Sequence, residues 1–353
     1  MTYLDANASE PLRPGSHAAM LAAMELGGNP SSVHGAGRAL RRVLDGARHT
    51  IASAYGVADD DIVFTSGGTE ANALAITGLR GTRRVIVGAT EHDAVRQAAP
   101  DAAVVPVDRY GVVDLDALDR ILRDGPALVC LMAANNETGT LQPIAAAAAL
   151  CRAHGGLLHV DAVQARAAFD VPAMGAHSVA LSAHKMGGPH GAGALLLQGV
   201  DPVPTMRGGG QERGRRGGTP TVAALAGFAA AVGCVWPDLR PWRDQIEAIM
   251  THAGAIVFGG ADRLQNTVCA ALPGVRAEAQ VIALDLAGVQ VSAGAACSSG
   301  TMADSHVLRA MGAAVLAGQA IRVSLPWNAT AADVAAFGAG YAAMVRRVAA
   351  RAA

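Results

Sequence analysis

The sequence predicts an α/β protein with a mostly parallel sheet covered by helices. Strand-like and helix-like segments alternate along the chain from about residue 60 to residue 200, which is typical of such a sheet. Polar clusters come directly after several of the apolar runs, and in open α/β sheets ligands bind beyond the carboxyl ends of the strands. The 353 residues, of which 51% are hydrophobic, can also bury a substantial core.

The first part of the chain contains the regular alternation. Its predicted strands are Asp61–Thr65, Arg84–Gly88, Ala103–Val107, Ala127–Ala133, Leu157–Val160, Ser178–Leu181 and Ala192–Leu197. The predicted helices between and after them are Glu70–Leu79, Ala145–His154 and Val222–Cys234. The Gly- and Arg-rich residues 206–220 read as an exposed loop that ends the pattern.

A different pattern follows Trp236-Pro237. Three strand candidates, Thr267–Leu272, Val289–Ser292 and Ile321–Leu325, are separated by helices near 239–253, 277–287 and 303–311, and a closing helix is predicted over Ala331–Ala350. We therefore expect a large α/β domain over 14–237 and a small α+β domain built from 1–13 and 238–353.

Composition excludes several classes of function. The net charge is −1, and no basic run interleaved with aromatic residues is present, so we expect a small substrate and no nucleic acid. The five cysteines include no CxxC pair, which argues against a disulfide framework and a cysteine-rich zinc site and favours a reducing cytoplasm. The N-terminus does not resemble a signal peptide, and no apolar stretch is long enough to span a bilayer. We expect no metal site.

Lys185 lies in the sequence SAHKMGGP at 182–189, just after a predicted strand. An amine that can lose its proton is what an aldehyde cofactor needs in order to form a Schiff base, and partial burial lowers the pKa of a lysine. Ser182 and His184 could donate hydrogen bonds to a phosphate. The alternative is an ordinary surface lysine in a glycine-rich turn.

Asp161 ends a second apolar strand, in LHVDAVQ at 158–164. A buried aspartate is costly without a partner, and a pyridinium nitrogen would be a suitable one. Gln164 could reach the phenolic oxygen of the same ring. The alternative is an aspartate that caps the next helix. Asp161 and Lys185 together favour pyridoxal phosphate (PLP).

A third motif, TSGGTEAN at 65–72, reads as a strand, a glycine turn and a helix start. Free backbone N–H groups and the helix dipole would hold a phosphate at Gly68 and Thr69. An ordinary helix N-cap with a glutamate in its first turn is the alternative, and neither of the common nucleotide-binding glycine motifs is present.

Two further motifs follow strands. In EHDAV at 91–95, His92 could stack on a flat ring and move protons, although one histidine among 11 is weak evidence. In NNETG at 135–139, Asn136 could offer an amide to a cofactor oxygen or a substrate carboxylate, or simply form a polar turn.

The second part of the chain contributes Cys297 and Arg322. Cys297 lies in the small-residue sequence SAGAACSSG at 292–300, which predicts an accessible thiol, whereas Cys130 and Cys269 lie in apolar runs. Arg322, in the strand-like AIRVSL at 320–325, would be costly without a carboxylate. A bidentate pair with a substrate α-carboxylate and a structural salt bridge both meet that need.

Together these motifs resemble the cysteine desulfurases of the class V aminotransferase family, within its iron–sulfur-assembly and nitrogenase-associated branch. The resemblance covers nearly the whole chain. It also includes YLDANA at 3–8, GNPSSVH at 28–34 and GGGQERG at 208–214, followed by Gly218-Thr219. The sequence departs from the family pattern at Ser9-Glu10, Thr221, Met302-Ala303-Asp304 and Pro326-Trp327, which affects no expected catalytic group.

The resemblance implies a PLP-dependent transferase of fold type I and a role for each matching residue. Lys185 would carry the cofactor and move the Cα proton, Asp161 would pair with the ring nitrogen, and Gln164 with the ring oxygen. His92 would stack on the ring and assist proton transfer, and the remaining cofactor ligands would be Asn136 and, chiefly at the phosphate, Gly68, Thr69, Ser182, His184 and Thr219. Thr219 would come from the other subunit of a homodimer with shared active sites.

The implied reaction converts L-cysteine to L-alanine. Asn136 and Arg322 would hold the substrate carboxylate, and Cys297 would take the sulfur as a persulfide and deliver it to an acceptor protein such as an iron–sulfur scaffold. The alternatives are another class V PLP enzyme, namely a selenocysteine lyase or an aminotransferase, and a catalytically silent relative that acts as a binding partner. An aminotransferase would not need Cys297.

Overall fold

The computed structural model of the chain describes residues 1–165, 169–294 and 304–352. Its strands are β1 (Thr2–Tyr3), β2 (Ile62–Thr65), β3 (Arg84–Gly88), β4 (Ala103–Val105), β5 (Ala127–Met132), β6 (Leu157–Asp161), β7 (Ser178–Ser182), β8 (Gly193–Leu197), β9 (Ile256–Phe258), β10 (Thr267–Ala271), β11 (Val289–Gln290), β12 (Ser292–Ala293) and β13 (Ala320–Ser324). Its helices are α1 (Pro14–Met24), α2 (Gly35–Tyr55), α3 (Gly68–Leu79), α4 (Asp93–Arg96), α5 (Leu115–Leu122), α6 (Ile144–Ala153), α7 (Val171–Met174), α8 (Val222–Val232), α9 (Arg240–His252), α10 (Ala277–Leu286), α11 (His306–Ala310) and α12 (Ala331–Ala352).

A seven-stranded sheet forms the centre of the first part of the chain, with the order β2-β8-β7-β6-β5-β3-β4. Strands β3 to β7 pair in parallel, and β8 runs antiparallel to both of its neighbours. The prediction of an α/β fold with a mostly parallel sheet is therefore confirmed. All six residues of β5 are buried, which explains why this strand is apolar on both faces.

Helices cover both faces of this sheet. Alternate residues of β5 belong to different hydrophobic clusters: Val129 and Leu131 pack with residues of α2 and α8 on one face, whereas Leu128 and Cys130 pack with residues of α3 on the other. This alternation is the period of two expected for a strand. Two covered faces leave the carboxyl edge of the sheet as the place where polar side chains can converge.

The remaining strands form two smaller sheets. One is antiparallel, with the order β12-β13-β10-β9, and the other is the parallel pair β1 and β11. Their shared core includes Leu4, Ile321, Phe337 and Tyr341, so the N-terminal residues pack with the C-terminal part of the chain. The boundary at residue 237 between two domains stays a prediction.

Several predicted elements differ from the structure in detail. The predicted strand Val289–Ser292 is two strands, because β11 pairs with β1 while β12 pairs with β13. The helix predicted near 303–311 is α11, and it begins at His306, where Ser305 caps it by accepting a hydrogen bond from the Leu308 amide at 3.0 Å. The sequence pattern does not predict helices α1, α2, α4, α5 and α7 or strands β1 and β9. In the described parts of the chain, no helix is long and apolar enough to cross a membrane.

Candidate active site

A cavity of about 160 Å³ lies at the carboxyl edge of the seven-stranded sheet. Parallel strands bring their carboxyl ends to one edge, and here the ends of β5, β6 and β7 are neighbours in the order of the sheet. The predicted site residues that line the cavity are Gly68, Thr69, His92, Asn136, Asp161, Gln164, Ser182, His184 and Lys185. The fold therefore brings together residues that lie as far apart in sequence as Gly68 and Lys185.

Three predicted residues are placed differently. Thr219 is exposed on a separate surface cavity, beside Glu212 and Arg216. Arg322 lies in β13 and is fully buried. Cys297 lies outside the described residues.

Lys185 follows β7 in a short turn, and its side chain is half-buried. Its Nζ donates a hydrogen bond of 2.6 Å to the backbone carbonyl of Asn7, so the N-terminal segment contacts the amine directly. The turn after it depends on glycine, because Gly187 has a φ of 82° and a side chain there would meet the aliphatic part of Arg13. Lys185 thus lies on a tightly constrained turn rather than on an exposed loop.

His184 is held beside Lys185. Burial, together with the nearby charges of Lys185 and His190, lowers the pKa of His184 to about 4. The ring stacks on that of His190 with 4.9 Å between centroids, and its Nδ1 lies 3.3 Å from the Ser9 hydroxyl. His184 is therefore neutral at pH 7 and can act as a hydrogen-bond partner without adding charge.

Asp161 is buried in the cavity wall with two hydrogen bonds. It accepts from the Asn72 side chain at 2.8 Å and from the Val163 amide at 3.0 Å. Burial raises the pKa of Asp161, opposed by the Val163 and Asn72 hydrogen bonds and by the nearby His92 and Lys185. The bond to Val163 resembles the capping alternative, but a buried carboxylate facing a cavity also suits a cationic ligand atom.

Asn72, which has no role predicted from the sequence, joins two buried residues of this wall. Its amide group joins two buried partners, donating to Asp161 and lying 2.8 Å from His159 Nε2. Burial lowers the pKa of His159 to about 3, so this ring is neutral. Asn72 can accept from a neutral His159 ring while it donates to Asp161, and so fixes the orientation of the carboxylate. Its position on α3, one turn after Thr69, was the available signal.

The N-terminus of α3 forms another part of the cavity. Gly67 precedes the helix and makes no side-chain cap, so the capping alternative for this motif lacks a capping side chain. A Cβ at Gly68 would collide with Val163 Cγ2, which explains the need for glycine. Glu70 accepts from the Ser66 amide at 2.7 Å and from Arg216 at 2.8 Å, and these bonds outweigh burial and lower its pKa. The first-turn amides beside Thr69 remain suited to an anion.

His92 and Asn136 line the cavity from the segments that follow β3 and β5. His92 caps α4, because its Nδ1 accepts a hydrogen bond of 3.0 Å from the Ala94 amide, which orients the ring. The backbone carbonyl of Asn136 accepts from the Asn7 side chain at 3.1 Å and from Arg322 at 3.0 Å. The polar turn that was the alternative for this motif is therefore present, and the Asn136 side chain still lines the cavity.

Gln164 has one buried polar atom that the rest of the structure does not satisfy. Its Nε2 donates to the Asn7 carbonyl at 3.0 Å, while its Oε1 is buried and lacks a hydrogen-bond partner among the described residues. Such an atom is costly unless a further group binds there. The wall of the cavity thus contains the Asp161 carboxylate and Gln164 Oε1, which can both accept a hydrogen bond from a bound group.

Arg322 is satisfied mainly by protein groups. Its Nη2 donates to Asp5 at 2.7 Å, and its Nη1 donates to the Asn136 carbonyl. The structural salt bridge that was one of its two interpretations is therefore present. Its Nε is buried without a hydrogen-bond partner in the described part of the chain. Binding of a substrate carboxylate by Arg322 stays a prediction.

A helix-covered sheet, a lysine after β7, a buried aspartate at the end of β6 and a helix start suited to an anion thus meet at one cavity. The chain belongs to the class-V aminotransferase family, whose model matches residues 2–337. Among its relatives, it is 42% identical to a cysteine desulfurase from Cereibacter sphaeroides, over 94% of this chain and 92% of that protein. It is 36% identical to an IscS-like cysteine desulfurase from Mycobacterium tuberculosis, over 95% and 93%. It also superposes with a TM-score of 0.90 on a NifS-like protein from Rickettsia africae, at 30% identity and with 98% and 99% of the two chains covered.

Two of the departures from the family pattern contact each other. The Glu10 carboxylate accepts a hydrogen bond from the Trp327 amide, and Trp327 Nε1 donates to the Pro11 carbonyl at 2.9 Å. The Glu10 amide in turn donates to the His184 carbonyl at 2.8 Å. The substitutions at 9–10 and 326–327 thus form one contact next to the Lys185 turn.

Proposed function

We propose that the chain is a PLP-dependent cysteine desulfurase, which converts L-cysteine to L-alanine and transfers the sulfur to Cys297. The names of its relatives support this activity over most of the chain. The observation that carries the proposal is the convergence of Lys185, the buried Asp161 and the start of α3 on one cavity. An amine, a carboxylate and an anion site are the three contacts that PLP requires.

The residues of the cavity fit this cofactor. Asp161 would hold the ring nitrogen and Gln164 the ring oxygen, and His92 would stack on the ring. The phosphate would lie against Gly68, Thr69, Ser182 and His184. The bound cofactor supplies an electron sink for the substrate Cα, which becomes easier to deprotonate.

The side chains around the cofactor would control protons and orientation. Lys185 would bind the cofactor and move the Cα proton, because its Nζ is held at the cavity by the Asn7 carbonyl. Asp161 has a pKa raised by burial, so a cationic ring nitrogen would stabilise its ionised form. Asn136 and Arg322, whose Nε has no hydrogen-bond partner among the described residues, would hold the substrate carboxylate.

The sulfur step would use Cys297 as a thiolate. Its Sγ bonds to the substrate sulfur as the carbon–sulfur bond breaks, and the electron pair of that bond stays with the substrate carbon. A proton then replaces the sulfur on that carbon and Lys185 returns the proton to Cα, which gives L-alanine and a persulfide on Cys297. A protein acceptor, such as an iron–sulfur scaffold, would take the sulfur from the persulfide.

We further propose a homodimer with shared active sites. Large apolar side chains are exposed within one stretch of the chain, at Leu21, Met24, Leu26 and Val33, which supports an interface in this region. Thr219 is exposed outside its own chain's PLP cavity, which agrees with a phosphate contact made to the partner. Four cysteines, Cys130, Cys151, Cys234 and Cys269, are free, in keeping with a cytoplasmic protein.

The test is product analysis with L-cysteine and a thiol reductant after PLP reconstitution. We expect the visible absorbance of lysine-bound PLP, and alanine and sulfide in equal amounts. Lys185→Ala removes both the absorbance and the products. An aminotransferase would instead require an α-keto acid and release no sulfide, and a selenocysteine lyase would act on selenocysteine and leave L-cysteine unchanged. A chain without PLP absorbance would contradict every enzyme hypothesis.

A further inference from the structure

Glu137 is a buried carboxyl group that the proposed reaction does not use. It follows Asn136 in the turn after β5 and is only 2% exposed. The Asn135 side chain fixes this turn by accepting from the Glu137 and Thr138 amides, each at 2.9 Å. Glu137 therefore extends from a rigid turn next to a residue that lines the cavity.

One oxygen of Glu137, Oε2, lies close to two residues that are distant from it in sequence, Ser305 and Gly294. The Ser305 hydroxyl donates to Glu137 Oε2 at 2.5 Å. A Cβ at Gly294 would lie 3.1 Å from the same oxygen, so the backbone there passes close to it and a larger residue would be crowded. Gly294 and Ser305 stand on either side of residues 295–303, which include Cys297.

Both points are themselves well anchored. Ser305 uses its hydroxyl twice, since it also accepts from the Leu308 amide and caps α11. The Ser305 amide donates to Ala317 at 3.1 Å, and the Gly294 amide donates to Ala320 at 3.2 Å. Glu137 is thus hydrogen-bonded to one fixed point of the C-terminal part of the chain and packs beside another, next to the turn that carries Asn136.

We propose that Glu137 is a positioning residue that, by its hydrogen bond to Ser305 and its packing beside Gly294, sets where the Cys297-bearing segment begins and ends relative to the Asn136 turn. This inference rests on the proposed function, because it gives Glu137 its role through the sulfur-accepting Cys297. It predicts a split between two stages of the reaction. Cofactor and L-cysteine binding use groups other than Glu137, whereas transfer of the sulfur depends on where the segment begins and ends.

The chemistry of the contact specifies which substitutions are informative. Glu137 accepts a hydrogen bond from a neutral hydroxyl, and the amide oxygen of Gln can accept the same bond. Glu137→Gln should therefore preserve the contact, whereas Glu137→Ala and Ser305→Ala should remove it. Ser16→Ala is the matched control, because Ser16 is also buried and donates one hydrogen bond, to the Gly227 carbonyl at 2.7 Å, between α1 and α8.

The first measurement is hydrogen exchange of peptides that cover 292–294 and 304–310, which requires no activity. Loss of the Ser305 hydrogen bond should speed exchange of the 304–310 peptide about fivefold in Glu137→Ala, with a smaller increase at 292–294, which only packs beside Glu137. Ser305→Ala should have a similar effect at 304–310. Glu137→Gln and Ser16→Ala should leave both peptides at the wild-type rate. Unchanged exchange in Glu137→Ala would overturn the anchoring role.

The second measurement separates binding from sulfur transfer in the PLP-loaded enzyme. Glu137→Ala and Ser305→Ala should keep the PLP absorbance and the wild-type affinity for L-cysteine, as followed by the spectral change on its addition. Persulfide formation on Cys297, measured by mass spectrometry, should fall about tenfold in both variants. Glu137→Gln should restore most of that rate.

The outcomes distinguish this inference from the proposed function. If wild type forms no alanine, the proposed function fails, and the exchange measurement still decides whether Glu137 anchors the segment ends. If wild type is active and Glu137→Ala transfers sulfur normally, only the inference fails. An equal loss of L-cysteine binding would also overturn it, because Glu137 would then act on the substrate site. If Glu137→Ala does not fold, the shorter Glu137→Asp, which removes the reach to Ser305 and leaves the α11 cap intact, decides the question by the same two measurements.

Discussion

Asn72→Ala tests the buried hydrogen-bond chain beneath the candidate active site. In the structure, the Asn72 amide joins His159 and Asp161 through two hydrogen bonds of 2.8 Å, and all three residues are buried. The substitution leaves a partner unsatisfied on each side. A buried polar group without a partner costs about 1–3 kcal/mol, so with two such groups we expect the free energy of unfolding to fall by about 2–6 kcal/mol.

The assay is urea unfolding of the PLP-free protein, with Ser16→Ala as the control that removes a single buried hydrogen bond. We expect the control to cost about 1 kcal/mol. PLP affinity should also fall in Asn72→Ala, because the Asp161 carboxylate loses the donor that orients it. If Asn72→Ala destabilises the protein no more than Ser16→Ala does, then His159, Asn72 and Asp161 are not coupled by their hydrogen bonds, and our description of this cavity wall is wrong.

Two further predictions concern packing and pH. Gly68→Ala places a Cβ against Val163 Cγ2, so we expect PLP affinity to fall about tenfold, and the double variant Gly68→Ala with Val163→Ala should regain most of it in a PLP titration. Burial raises the pKa of Glu137 from its ordinary 4.5 to about 7, although the Ser305 hydrogen bond opposes the shift. The folded protein therefore binds the Glu137 proton more tightly than the unfolded chain, and this contribution to stability is present below about pH 4.5 and lost as the pH rises to about 7. We expect urea unfolding to show that wild type loses stability relative to Glu137→Gln when the pH is raised from 5 to 7.5. If the difference in the free energy of unfolding between the two proteins is the same at both pH values, Glu137 is already ionised in the folded protein at pH 5. The ionisable groups that act on or face this carboxyl are Arg322, His92, Asp93 and Cys269.

Much of the sheet and of the cavity could be predicted from the sequence. Strand β5 is a continuous apolar run, and such runs mark buried parallel strands. Because parallel strands end at one edge, the residues that follow them meet there, and this rule placed Asp161 and Lys185 at one cavity. Helix α2 could also have been found, since Leu40, Leu44 and Ile51 follow a helical spacing along its buried face.

The missing parts of the prediction depend on distant contacts. Asn72 and Asp161 are 89 residues apart, and Arg322 and Asp5 are 317 residues apart. Sequence spacing within a strand or helix carries no information about such pairs. Strand β9 has only three residues, one of them buried, and is too short for a periodic signal. The role of Glu137 likewise emerges only when Gly294 and Ser305 are brought to it in the fold.

The transfer of sulfur to Cys297 is the central claim, and a single-turnover reaction tests it most directly. PLP-loaded wild type and Cys297→Ala are mixed with one equivalent of L-cysteine, and alanine and protein-bound sulfur are measured over time. Cys234→Ala serves as the control for loss of a half-buried thiol. We predict that wild type and Cys234→Ala form alanine together with a persulfide on Cys297, and that Cys297→Ala binds PLP and L-cysteine but forms no alanine. Alanine formation by Cys297→Ala at the wild-type rate would contradict the account.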